Sequence, residues 1–266
     1  MPEHLNIHLH ASGNLERLCD AYRKSKSRLL LLDYDGTLVD FAPRPELAIP
    51  GHEVVRLLGD LAKEPSNSVF LISGRERASL EKWFGDLPIG LIAEHGAWIS
   101  EKLGTWMLLR KQSNSWKPRI VPILQDFARR LPGAFVQEKD FSVVWHYRGS
   151  AASRGETMAR ELIDHLETVK PDVDVQVLQG KKIVEVRNTA VNKGIAAVHL
   201  LNTHQYDFVL AIGDDLTDED LFAVLPPSSF SVHVGAAPSN ARFNLSDVAE
   251  VRAVLEAITG INSDSA

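Results

Sequence analysis

Five aspartates in two distant segments are the residues of this sequence best placed to do chemistry. Asp33 and Asp35 stand one residue apart at the end of an apolar run, in LLLLDYDGTLVD, and Asp214, Asp215 and Asp218 crowd into GDDLTDED. Carboxylates gathered in a partly desolvated site repel one another unless a cation holds them. An all-oxygen donor set suits a hard divalent ion. Mg2+ in particular takes one or two carboxylates and leaves room for a backbone carbonyl, waters and a substrate phosphate. Other ion and phosphate motifs do not fit. DYDGT puts Gly36 at the fourth position of a would-be calcium loop, where glycine is needed at the sixth, and neither GxxxxGK[ST] nor GxGxxG occurs.

The elements that must bring these segments together can be read from pattern. The run from Leu29 to Leu32 reads as a buried strand; HEVVRLLGDLAK has helical spacing, with Pro50 suited to its first turn; SVFLISGR, ERASLEKWF and GLIAEHG continue as strand, helix, strand. That alternation predicts an α/β fold with a Rossmann-like parallel sheet, whose ligands lie beyond the carboxyl ends of the strands. Ser73, Arg75, Glu94 and His95 fall at such ends beside the aspartates. From about Trp106 the order becomes helix, two strands, helix, two strands, which predicts an inserted α+β lobe with an antiparallel sheet. The parallel pattern resumes with a helix from Lys193. The expected organisation is a first core segment over 1–108, with 1–27 as an N-terminal extension, an inserted cap over 109–188, and a second core segment over 189–266.

Composition narrows the function classes. A net charge of -6 with no dense basic cluster gives no footprint for nucleic acid. A single cysteine, Cys19, excludes an intrachain disulfide and suits a reducing cytoplasm, and no apolar run is long enough to predict a membrane span.

DYDGTL after an apolar strand, SGR after the next, the lysine of NKG, and GDDLTDED after a late strand resemble the four motifs of the haloacid dehalogenase superfamily of phosphatases. The resemblance implies Asp33 as the nucleophile that becomes an aspartyl phosphate, and Asp35 as acid toward the leaving oxygen and then base toward water. It implies Ser73 and Lys193 as groups that meet the phosphoryl oxygens, and Mg2+ held by Asp33, by Asp35 through its backbone carbonyl, and by Asp214. Asp215 and Asp218 would stand behind, orienting metal waters or Lys193. Gly36 and Thr37 would let the loop backbone approach the phosphate, and Arg75 would either touch ligand or pair with an acidic neighbour. Further blocks, SGRERASLEKWFGDLPIGLIAEHGAW, QEKDFSVVWHYR, GKKIVEVR and GDDLTDEDLF, are similar to the trehalose-6-phosphate phosphatases, with their C2B-type cap. That similarity implies hydrolysis of trehalose 6-phosphate to trehalose and phosphate. Glu138, Arg148, Lys181 and Glu185 become sugar contacts on the cap, Glu94 and His95 contacts on the core side, and a trehalose-6-phosphate synthase a possible partner. Hydrolysis of another sugar phosphate, a phosphomutase, and a catalytically silent sugar-phosphate-binding regulator are the competing readings.

Overall fold

In the computed structural model, which describes residues 7–170 and 174–263, the chain folds into two units. One holds the described residues through Phe41, Ala48–Leu109 and those from Asn192 on; the other holds Ala42–Leu47 and Arg110–Val191. Residues 1–6 of the expected N-terminal extension lie outside the described residues.

The first unit opens with β1 (Ile7–His8), α1 (Asn14–Lys24) and β2 (Arg28–Leu32), the last buried at every position, as a strand covered on both faces must be. Next come α2 (His52–Lys63), β3 (Asn67–Ile72), α3 (Arg77–Phe84) and β4 (Gly90–Ala93). Helix α2 buries Val54, Leu57, Leu58 and Leu61 along one face. Pro50 does not sit in its first turn: Gly51 takes the extended N-cap geometry and the helix begins at His52, so the proline precedes the cap. After β4 the chain turns back on itself in two short antiparallel strands, β5 (Trp98–Ser100) and β6 (Met107–Leu108). They escape sequence reading because three and two residues are too few to show an alternation.

The second unit follows, with α4 (Lys117–Arg130), β7 (Phe135–Glu138), β8 (Ser142–His146), α5 (Ala152–Val169), β9 (Val175–Gly180) and β10 (Ile183–Asn188). Its sheet is antiparallel in the order β7-β8-β10-β9. Ile120, Leu124 and Phe127 of α4 and Leu162 and Leu166 of α5 pack with Val143, Trp145, Val184 and Val186. Because successive side chains in a strand point to opposite faces, Gln137, Ser142, His146, Glu185 and Arg187 share the face turned from these helices.

The chain returns to the first unit with α6 (Lys193–Thr203), β11 (Phe208–Gly213), α7 (Leu216–Phe222), β12 (Phe230–Val234), β13 (Phe243–Leu245) and α8 (Val248–Ser263). Among the described residues its sheet runs β1-β13-β12-β11-β2-β3-β4-β5-β6 and is parallel from β1 to β4. From β2 the chain builds outward through β3 and β4, and from β11 it builds the other way through β12 and β13. The boundary between β2 and β11, with Leu32 opposite Ile212, is therefore a topological switch point, where such sheets open a crevice for ligands.

Candidate active site

Asp33 is the first residue beyond β2, and its N–H donates to Ile212 O at 2.9 Å, so the β2–β11 ladder extends into the loop and fixes the backbone. Beyond β11, Asp214 is buried. Asp215 caps α7, its carboxylate accepting from the Thr217 N–H at 2.8 Å and the Thr217 hydroxyl at 2.6 Å. Asp218 returns the bond, its Oδ2 accepting from the N–H groups of Asp214 and Asp215 at 3.2 Å each, which completes a capping box. A helix-start motif thereby aims Asp218 back at the strand end. Lys193 opens α6, whose N-cap Asn192 accepts from the Ile195 N–H at 2.8 Å. Its Nζ donates to Asp33 Oδ1 at 2.7 Å and to Asp218 Oδ1 at 2.8 Å. Lys193 is 1% exposed and Asp218 0%, so water screens neither bond.

One ammonium serves several desolvated carboxylates, and the titration of the group reflects it. Burial pushes Asp33 up to about 6 despite the pull of Lys193, and pushes Asp218 up as well. Burial works upward on Asp215 too, but the Lys193 charge and the Thr217 hydrogen bond bring it down to about 2. Burial opposes the charge of Lys193, yet Asp218, Asp33 and Asp215 hold its pKa well above the ordinary lysine value. The cluster is short of positive charge. Asp33, Asp214 and Asp218 each offer an oxygen, all within 4.8 Å of one another, a donor set that fits a hard divalent cation. Asp218, expected behind the metal ligands, belongs to this set. The carboxylate of Asp35 does not, so its share in such a shell is left to its backbone carbonyl.

The loop from Asp33 to Val39 is tightly wound, with Tyr34 O accepting from the N–H groups of Leu38 and Val39 at 2.9 and 3.1 Å. Gly36 has a φ of +83°, and a Cβ there would collide with the Asp214 carboxylate and the Phe41 ring, so the position requires glycine. Thr37 is fully buried and its hydroxyl has no hydrogen-bond partner among the described residues. Arg75 grips Asp35 with two bonds, Nε to Oδ2 at 2.8 Å and Nη2 to Oδ1 at 2.7 Å, and its guanidinium lies 4.7 Å from the Trp83 ring centre and 5.1 Å from that of Tyr34. The acidic-neighbour reading of Arg75 is thus observed. Ser73 is buried at the end of β3; its Oγ accepts from the Arg75 N–H at 3.2 Å and keeps its own hydrogen to donate. Glu94 and His95 are also buried, with left-handed φ values of +47° and +56°. Their N–H groups donate to Arg75 O at 3.0 Å and Ser73 O at 2.9 Å, so this strained turn clamps the loop that carries Ser73 and Arg75.

Glu138, Arg148, Lys181 and Glu185 all lie in the second unit. Arg148 Nη2 donates to Lys181 O at 2.7 Å; Lys117 donates to Glu138 Oε1 at 3.3 Å and to the carbonyl of Lys139; Lys139 pairs with the buried Glu185 at 3.6 Å. Lys117 and Lys139 were not legible as members of this group. Lys117 sits in a helical first turn like any surface lysine, and Lys139 is one charge in the hairpin EKD. Tyr34 and Trp83 were equally silent as supports for Arg75, although a tryptophan on the helix after SGR was available as a signal.

A family profile described as trehalose-phosphatase matches residues 31–249. The chain is 42% identical over 243 residues to a bifunctional trehalose-6-phosphate synthase/phosphatase of Thermoproteus tenax, spanning 91% of this chain and 33% of that one. It spans about a third of the length of the first curated relatives it matches. The C-terminal domain of C. albicans trehalose-6-phosphate phosphatase superposes with a TM-score of 0.90 at 31% identity, covering 96% of this chain and 98% of that one. A haloacid dehalogenase-like hydrolase from Bacteroides thetaiotaomicron, 17% identical with a TM-score of 0.59 over 89% of this chain and all of that one, shares the fold.

Proposed function

Because the chain belongs to the trehalose-phosphatase family, we propose that it hydrolyses trehalose 6-phosphate to trehalose and phosphate, as a step of trehalose biosynthesis. The observation that carries this reading is the meeting of Asp33, Lys193, Asp214 and Asp218 at one switch point of the sheet.

In the first step Asp33 attacks phosphorus with the oxygen that Lys193 leaves free, the bond from phosphorus to the sugar oxygen breaks, and that oxygen takes a proton from Asp35. A carboxyl that carries a proton cannot accept both guanidinium bonds, so the Asp35–Arg75 pair opens on at least one side when substrate is bound. In the second step Asp35 takes a proton from a water whose oxygen attacks phosphorus, which releases phosphate and restores Asp33. Throughout, the Ser73 hydroxyl and the third N–H of Lys193 donate to phosphoryl oxygens, while the Gly36–Thr37 backbone lies against them. Mg2+, the metal that phosphatases of this superfamily generally use, would be held by Asp33, Asp214 and the Asp35 carbonyl, with an Asp218 oxygen in the same donor group, and would quench the charge that keeps a carboxylate from approaching a phosphate.

Glu138, Arg148, Lys181 and Glu185 of the second unit are the proposed sugar contacts, and Glu94 and His95 those of the first, since a ring of hydroxyls wants both donors and acceptors. A synthase polypeptide is a fitting partner, because the bifunctional Thermoproteus tenax relative joins a synthase to its phosphatase. The lone Cys19 suits the cytoplasm, and no helix among the described residues is long and apolar enough to cross a membrane. The test is phosphate release from a panel of sugar phosphates with and without Mg2+. Metal-dependent release with trehalose 6-phosphate ahead of glucose and mannose phosphates is expected. Phosphoryl transfer to a second sugar without free phosphate, or equal rates across the panel, would overturn the assignment.

A further inference from the structure

The first unit also contains a concavity whose lining shares no residue with the site above. It measures about 250 Å³ and lies between the end of α3, β4 and the loop joining β5 to β6. Phe84, Leu103 and Trp106 give it apolar walls, and Glu81 and Asp86 bring two carboxylates to it. Both carboxylates are exposed, and neither has a hydrogen-bond or ion-pair partner among the described residues. Lys82 and Lys102, chain neighbours of Glu81 and Leu103, do not line the cavity; the Lys102 ammonium is bonded to Asn67 O at 3.3 Å. The last turn of α3, whose carbonyls carry the negative end of the helix dipole, adds to the same field.

Size and charge together select an occupant. A volume of about 250 Å³ falls below the roughly 300–1,000 Å³ usual for small-molecule pockets and suits one long side chain. Aromatic and carboxylate side chains lining one cavity favour a planar guanidinium over a point-charge ammonium, because a guanidinium can both stack on a ring and donate several N–H bonds to carboxylates. The rim says what carries that group. Leu103 is 64% exposed in a left-handed conformation with φ +58°, and Met107 is 53% exposed on β6, which pairs on its outer side with no further strand among the described residues. An apolar residue held in strain at a mouth, next to an open sheet edge, is a surface for extended polypeptide. The structure assigns this cavity as the receptor for an arginine side chain of a partner polypeptide that lies along β6.

The experiment observes the tryptophan indole N–H resonances by NMR in the intact chain, with Trp106 assigned through Trp106→Phe. The probes are a short capped peptide with one arginine flanked by valines, the same peptide with uncharged citrulline, and N-acetyl-arginine amide. Saturable shifts at Trp106 are expected for the arginine peptide, with a Kd at least about tenfold below that of N-acetyl-arginine amide. Those shifts should vanish with the citrulline peptide and in Glu81→Gln/Asp86→Asn, whose exposed positions leave the fold and the phosphatase activity unchanged. No shift at the solubility limit of the arginine peptide, or equal shifts from the citrulline peptide, overturns the assignment. Equal affinity for the peptide and N-acetyl-arginine amide overturns the polypeptide and leaves a site for a free small cation.

Discussion

The two units hold their charges differently. In the parallel unit they sit in loops just past strand ends, buried, each bonded from several sides: Lys193 reaches two carboxylates, and Asp218 takes bonds from Lys193 and two backbone N–H groups. In the antiparallel unit they stand on strands, at hairpin tips or, for Lys117, at the start of α4, in looser pairs such as Lys139 with Glu185 at 3.6 Å and Lys117 with Glu138 at 3.3 Å. The first arrangement keeps its geometry while charge moves, which suits bond making and breaking. The second can exchange a protein partner for a ligand hydroxyl, which suits recognition.

Removing charges from the first arrangement should therefore do the most damage. If Asp33 is the attacking carboxylate, turnover of Asp33→Asn should fall by roughly four orders of magnitude or more on every phosphoester, with equal losses on trehalose 6-phosphate and on a generic substrate. Turnover equal to the parent's would remove Asp33 from the chemistry. Lys193→Met leaves Asp33 and Asp218 buried without their shared cation, a change that costs about 3–5 kcal/mol when one member of a buried pair is lost. Urea unfolding of the metal-free chain should show this cost, and Mg2+ should recover part of it by supplying charge to the same carboxylates. A variant as stable as the parent in the absence of metal would contradict the positive-charge shortage described for the cluster.

The same contrast explains what could be read from sequence. Asp33, Asp35, Asp214, Asp215 and Asp218 were legible because a parallel strand announces itself as an apolar run and its ligands follow within a few residues. Lys193 was legible only through its short NKG context, since its bonds to Asp33 and Asp218 span 160 and 25 residues. The bidentate hold of Arg75 on Asp35 was one of two open readings, because nothing local to SGR says which way a guanidinium turns. In the second unit the strands were legible but their register was not. That Glu185 lies opposite Val144, and that Lys139 then reaches Glu185, depends on hairpin geometry that no run of residues encodes alone. The left-handed Glu94–His95 turn was invisible for a related reason, as neither residue type announces a positive φ.

His146 tests the second unit from the side of stability. It is buried, its ring lies 4.5 Å from that of Phe135, and Nε2 is 3.0 Å from Gln137 Oε1. Burial, helped by the charge of Lys139, lowers it from 6.5 to about 4. The folded state thus resists a proton that the unfolded chain accepts. Neutral His146 costs nothing above pH 6.5, and stability falls as the pH drops from there toward 4, by up to roughly 3 kcal/mol at about 1.4 kcal/mol per pKa unit. Denaturation of the parent and His146→Gln across that window should give a flatter pH dependence for the variant. Parallel curves would mean that His146 is not held neutral.

The smallest effect expected is also the one that separates recognition from chemistry. Glu138 is exposed at the end of β7, and its one side-chain tie among the described residues is the 3.3 Å bond from Lys117, which also donates to the Lys139 carbonyl. Truncating it in Glu138→Ala therefore leaves Lys117 with a partner and the hairpin in place, so stability should change by no more than about 1 kcal/mol, the scale of an exposed ion pair. If Glu138 accepts from a sugar hydroxyl, KM for trehalose 6-phosphate should rise about tenfold, the equivalent of one charged hydrogen bond of about 1.4 kcal/mol, while kcat/KM for p-nitrophenyl phosphate stays at the parent value. Glu138→Gln, which keeps an acceptor but not the charge, should lie between the two. Equal losses on both substrates would place Glu138 among the groups that hold the fold or the chemistry, and would erase the division between a unit that reacts and a unit that recognises.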